Sequence, residues 1–97
     1  IEAEPMEISR TEKDAVQELI GSIRGAEDEE RLQNRIFETA RGHGLSPNQF
    51  FRLLYMLLIG STSGPRLGTY IFDIGQERAA ETLANRLKEV KITDSKP

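Results

Sequence analysis

Phe50-Phe-Arg-Leu-Leu-Tyr-Met-Leu-Leu-Ile-Gly-Ser-Thr-Ser-Gly-Pro-Arg-Leu-Gly-Thr-Tyr-Ile-Phe-Asp-Ile-Gly75 contains the most apolar run of the chain, and its flanks say how that run is used. Just ahead of it, Ser46 can cap a helix, Pro47 suits the first helical position, and Gln49 can reach back to the cap. Arg52 is the only charge between Pro47 and Gly60. A helix apolar on nearly every side is one that others surround, so residues 47–60 are the expected core helix. Gly60 to Gly64 then reads as a small-residue turn, with Ser63 as the cap of a fourth helix that Pro65 begins. That helix would bury Leu67, Tyr70, Ile71 and Ile74 and stop at Gly75.

Working outward, Ser9 and Glu12 have the spacing of a capping box, and Val16, Leu19, Ile20 and Ile23 follow on one helical face up to Gly25. Gly21 costs about 1 kcal/mol relative to Ala, so the last turn of this helix is expected to fray or to pack close to a neighbour. A second helix starts in the acidic residues Glu27 to Glu30, where negative charge is favoured. It continues through Leu32, Ile36, Phe37 and Ala40 to Gly42 or Gly44. A fifth helix runs from about Gln76 to Val90, with Ala79, Ala80, Leu83, Ala84 and Leu87 at helical spacing. Nothing alternates like a strand. The expected fold class is all-α, a compact bundle of about five short helices around a buried central helix at about 47–60. Residues 9–90 form the domain, residues 1–8 read as a linker or the cut edge of a longer chain, and residues 91–97 as a flexible tail.

At 97 residues, 37% hydrophobic and 30% charged, the chain has the composition of one globular domain. It has no cysteine, which removes disulfides, thiolate nucleophiles and Cys-ligated zinc and fits a cytoplasmic location. The run from Leu53 to Ile59 is far short of the roughly 20 apolar residues that span a bilayer, and the start lacks a basic-then-apolar signal, so no membrane partner is expected. Net charge is −3. Residues 1–45 hold six Lys/Arg against eleven Asp/Glu, and residues 46–97 hold seven against five, so a polyanion should prefer the second half.

Catalytic groups are hard to find. His43 is the sole histidine, flanked by two glycines and without a second His at metal-ligand spacing, and it reads as a turn residue near a helix end. Ser61 and Ser63 lack a nucleophile elbow and a His relay, which leaves a hydrolase without a base or oxyanion partner. The Glu27 to Glu30 cluster lacks the alternating ligands and turn Gly of a calcium loop, so no metal ligand is assigned. The segment Gly60 to Gly68 is either a tight interhelical turn or an anion cradle. It is not a nucleotide-binding P-loop, because the Lys-Ser/Thr pair is missing and Pro65 removes one N–H donor. Arg66 keeps the anion reading open. An Arg in a first helical turn opposes the helix dipole by about 0.3–1 kcal/mol and calls for a ligand or a carboxylate partner. Of the aromatics that could stack on unpaired bases, Phe50, Phe51, Tyr70 and Phe72 are expected mostly in the core. The stripe Asn48, Gln49, Arg52 and Tyr55 faces outward and, with Arg66, makes the candidate contact surface.

The same stretch resembles the carboxy-terminal region of class I lysyl-tRNA synthetases. There a Phe-x-x-Leu-Tyr helix leads to a Leu-x-Gly end, a Gly-Pro-Arg-x-Gly turn, a short apolar helix and a Gly. Here those positions are Phe51, Leu54, Tyr55, Leu58 with Gly60, Gly64-Pro65-Arg66 with Gly68, and Gly75. Ala40 to Pro47 is also similar, and the likeness covers roughly residues 10–88. The resemblance implies a helical-cage domain that binds the anticodon region of tRNA(Lys). Lysine activation with ATP, and with magnesium, would then occur in an upstream catalytic domain of the same chain, leaving these residues without cofactor or catalytic group. Neither a His-x-Gly-His nor a Lys-Met-Ser-Lys type motif is present. The motif is largely structural, so it carries over no base-reading residue. The RNA-binding candidates are Arg52, Arg66, Tyr55, His43, Asn48 and Gln49. The alternative is a helical protein-interaction or interdomain docking module whose acidic first half meets a basic partner without RNA contact.

Overall fold

The computed structural model describes residues 6–93. Five helices follow one another: α1 (Arg10–Gly25), α2 (Glu29–Gly42), α3 (Pro47–Leu58), α4 (Leu67–Ile74) and α5 (Gln76–Glu89). The expected all-α bundle is what forms.

Local chemistry sets most of the helix ends. The capping box at α1 is complete: the Glu12 N–H donates to Ser9 Oγ (3.1 Å) and the Ser9 N–H to Glu12 Oε1 (2.8 Å). Asp28 caps α2 through the Arg31 N–H (2.8 Å). Gly60 (φ 87°) ends α3 in the left-handed region, with its N–H directed back to the carbonyls of Tyr55 and Met56. Gly75 (φ 104°) joins α4 directly to α5, a backbone angle that a side chain would strain.

Several expectations are corrected. Gly21 lies inside α1, which runs on to Gly25, and the open space around it rules out close packing there. Ser46 caps α3, but the Gln49 side chain does not reach back to it. Its Nε2 donates instead to Glu12 Oε2 of α1 (2.8 Å). Helix α4 begins after Arg66 rather than at Pro65, and Ser63 does not cap it. The Gly68 N–H at its start is taken by Gln33 Oε1 of α2 (2.8 Å), so a side chain 35 residues away does the capping.

The largest departure lies at the edges set aside as linker and tail. Glu7–Ser9 (β1) and Lys91–Thr93 (β2) pair as parallel strands in the register Glu7↔Lys91, Ile8↔Ile92, Ser9↔Thr93. Ile8 is buried in the core by this pairing. A parallel pair needs a long crossover rather than a hairpin, and the whole helical bundle serves as that crossover. The remainder of both segments, residues 1–5 and 94–97, lies outside the described residues.

The core draws on every helix. Leu19 and Ile23 of α1, Leu32 and Ile36 of α2, Phe50 and Leu54 of α3, Leu67 and Ile71 of α4, and Leu83 of α5 are buried in one cluster. The other helices do not enclose α3 as expected, because it packs on α2 and α5 and turns its other side outward. Helix α1 packs on α2 and α5, α4 on α2 and α5, and α3 lies across α2 and α5. Phe50 is the largest fully buried side chain, which gives α3 its place in the core. The opposite side of α3 is a surface: Asn48, Gln49 and Arg52 are exposed, and Phe51, Tyr55 and Met56 are half-buried.

Candidate nucleic-acid interface

Residues three and four apart share a helix face, and this divides the outward residues of α3 into two stripes. Gln49, Arg52 and Met56 form the first, on the side of β1 and the start of α1. Gln49 is bonded there to Glu12, and Arg52 lines a hollow of about 300 Å³ together with Met6, Ile8 and Leu53. Asn48, Phe51 and Tyr55 form the second, toward α2. The Phe51 ring lies 4.9 Å from that of Phe37, tilted by 60°. Tyr55 is spent on architecture: its hydroxyl donates to the Pro65 carbonyl (2.8 Å), and its ring passes so close to Gly64 that a Cβ there would sit 3.3 Å from Cε1. That contact holds the 59–66 turn against α3.

Arg66 stands apart from Arg52. It is exposed and lines a hollow of about 530 Å³ with Glu27, Asp28, Glu29, Glu30 and Phe72. The carboxylates at the start of α2 supply the negative surroundings that an Arg in this position calls for, and they make the site a poor one for phosphate alone. One N–H at this helix start is already committed to Gln33, which favours the interhelical turn over the anion cradle for the Gly60–Gly68 segment. His43 caps the end of α2, and its Nε2 lies 2.8 Å from Glu18 Oε1 of α1. The structure thus brings Gln49 to Arg52, and places Arg66 and His43 elsewhere.

Sequence reasoning missed Phe37 and Arg41. Helical spacing assigned Phe37 to the core, yet its half-buried ring does not pack with the core cluster. Its neighbours are Phe51 and the exposed Arg41, whose Cζ lies 5.7 Å from the ring centroid. The i, i+4 spacing of an aromatic and an Arg was the available signal. Among the described residues no group of His, Asp and Glu could hold a metal ion, and no helix is long and apolar enough to cross a membrane.

Fold and surface together define a small all-helical domain with aromatic and basic side chains on one side of a two-helix edge. Among curated proteins the chain is similar to the lysine–tRNA ligase of Cenarchaeum symbiosum (strain A), with 37% identity over 86 residues that make up 89% of this chain. It is also similar to the lysine–tRNA ligase of Methanopyrus kandleri, with 36% identity over 90 residues and 90% of this chain. A third relative, the lysine–tRNA ligase of Borrelia garinii subsp. bavariensis, is 33% identical over 69 residues, which cover 68% of this chain and 13% of that protein. The chain therefore belongs to the lysine–tRNA ligase family, and it spans only 16% of the length of each of the first two relatives. No protein-family profile and no solved structure matches it.

Proposed function

We propose that this chain is the carboxy-terminal, anticodon-binding domain of a class I lysine–tRNA ligase, an enzyme of cytoplasmic protein biosynthesis. In this reading lysine, ATP and magnesium meet in an upstream catalytic domain, and the present helices hold the anticodon end of tRNA(Lys). One observation carries it: the similarity runs through 89% of this chain but only 16% of the relative, so the shared part is one domain of a much larger ligase. The outward surface of α2 and α3 supports the RNA contact, because it presents the Phe37 and Phe51 rings with Arg41 at the α2–α3 edge and Arg52 on the neighbouring stripe of α3, where unpaired bases can stack and phosphates can be neutralised.

The direct test is titration with tRNA(Lys) while backbone amide shifts are followed. Shifts should gather on α2, α3 and the turn after α3, and should weaken when the anticodon bases are changed. Indifference to the anticodon, or shifts confined to α1 and α5, would sink the reading. Arg52→Ala should weaken binding by roughly 1–3 kcal/mol if Arg52 reads a base edge, and lower the salt slope by about one if it meets a phosphate. The acidic hollow around Arg66 favours a second reading, in which that side docks a basic surface of the catalytic domain. Salt-sensitive binding to that domain without tRNA, abolished by neutralising Glu27 to Glu30, would support it.

A further inference from the structure

Phe37 is the side chain that the architecture explains least. A phenylalanine on α2 would ordinarily add its ring to the core, where burying it stabilises the fold. This ring stands at the core's edge instead, against Phe51 of α3 on one side and beneath Arg41 on the other. Arg41 makes no ion pair among the described residues, whereas Arg24, Arg31 and Arg35 each face a carboxylate. Asn48, exposed and three residues before Phe51 on the same stripe of α3, makes no side-chain hydrogen bond among the described residues. The local composition is therefore two aromatic rings, one unpaired guanidinium and one free amide at the edge shared by two helices.

We propose that Phe37, backed by Phe51, is a platform on which an unpaired RNA base stacks, with Arg41 taking the adjoining phosphate. This rests on the RNA-binding reading above and assigns the contact to residues outside the Arg52 and Arg66 pair. The occupant follows from the chemistry. An exposed cation–π contact is weaker than base–aromatic stacking, so a base displaces Arg41 from the ring and frees its guanidinium for the phosphate. A base within a duplex has its faces covered by its neighbours and cannot engage in this way. An acidic peptide would meet Arg41 but would have no use for two rings, and a purely apolar partner would strand the guanidinium.

The chain contains no tryptophan, which makes the test clean. Phe37→Trp keeps an aromatic face and installs the single tryptophan of the chain at the platform. Adding the anticodon stem–loop of tRNA(Lys) should quench it, while a fully paired RNA hairpin of equal length should not. Phe37→Leu keeps apolar cover but removes the π face, and should weaken stem–loop binding by about 5- to 150-fold without moving the melting temperature. If wild-type protein binds the stem–loop but Phe37→Trp is not quenched and Phe37→Leu binds as well as wild type, the platform is wrong and the tRNA reading survives. If wild-type protein does not bind the stem–loop by filter retention, the tRNA reading fails and the platform falls with it.

Discussion

The junction where α1, α2, α4 and α5 meet and the outer edge of α2 and α3 use similar side chains to different ends. At the junction polar side chains are committed to partners, most of them backbone atoms. Gln33 accepts from the Gly68 N–H, Thr69 Oγ1 donates to Glu29 Oε1 (3.0 Å), and Gln76 Nε2 donates to the carbonyls of Ile23 (2.8 Å) and Ala26 (2.9 Å). The Gln33 and Gln76 bonds serve backbone groups at helix ends, and the Thr69 bond ties α4 to α2 through two side chains. At the outer edge Asn48 and Arg41 make no side-chain hydrogen bond among the described residues, and Phe51, which packs on the core, meets the ring of Phe37, which does not. The difference separates residues that build the domain from residues left for something else to bind.

The comparison can be broken most severely at Gly68. A Cβ there would lie 2.6 Å from the Glu29 carbonyl oxygen, a backbone atom that cannot turn aside. Gly68→Ala must push α4 off α2 and disturb the Gln33 bond. It should cost about 3 kcal/mol and lower the melting temperature by on the order of 15 °C. An unchanged melting curve would mean that the two helix starts are not in contact. Gln76→Ala comes next. It leaves the Ala26 carbonyl without its donor and the Ile23 carbonyl with only the long bond from the Ala26 N–H (3.4 Å), and the expected loss is about 1–2 kcal/mol in urea unfolding. Neither change should affect RNA contact at the α2–α3 edge beyond the fraction unfolded.

Thr39 is the exception on the packed side. It is 2% exposed, and its hydroxyl has no hydrogen-bond partner among the described residues. Thr39→Val keeps the shape while removing a polar group that folding strips of water. It should therefore raise stability by about 1 kcal/mol, read as a higher urea midpoint at constant slope. A loss of stability would show that the hydroxyl is satisfied in solution and that the packed side has no exception.

The parts of this division that were legible in the sequence were those decided within a few residues. Ser9 with Glu12, Ser46 with Pro47, and Gly75 all announced helix ends, because capping is local. What escaped the sequence depended on pairs far apart in the chain. The strand at Glu7–Ser9 is too short to show alternation and exists because Lys91–Thr93 returns beside it. The start of α4 is set by Gln33, and the acidic surroundings of Arg66 arise from α4 packing on α2. The candidate site suffered most. Helical spacing shows which stripe faces inward but not where its edge falls, so Phe37 was placed in the core and the contact stripe of α3 was taken as one surface rather than two.

The smallest expected effect tests whether charge contributes to the packed side at all. Arg24 of α1 forms a two-bonded pair with Glu77 of α5, both distances 3.1 Å. Hydrogen bonding from Arg24, and then its charge, hold the Glu77 carboxyl below the usual carboxylate range. A carboxyl lowered in the folded state adds stability above its unfolded pKa, and that contribution is lost as pH falls through the folded value. With 47% and 65% of the two side chains exposed, water and salt screen the pair heavily. Glu77→Gln should thus lower the melting temperature only slightly at neutral pH and low salt. The gap to wild type should close as pH falls below the usual carboxylate range and the native carboxylate is itself protonated, and again in roughly 1 M salt. A gap that persists under both conditions would trace the effect to packing between α1 and α5, which already share the apolar contacts of Val16, Leu19, Ala80 and Leu83 in the core. The ion pair would then be a surface ornament on a joint made of hydrophobic burial, and bonds to backbone would be the polar chemistry that distinguishes the packed side from the open one.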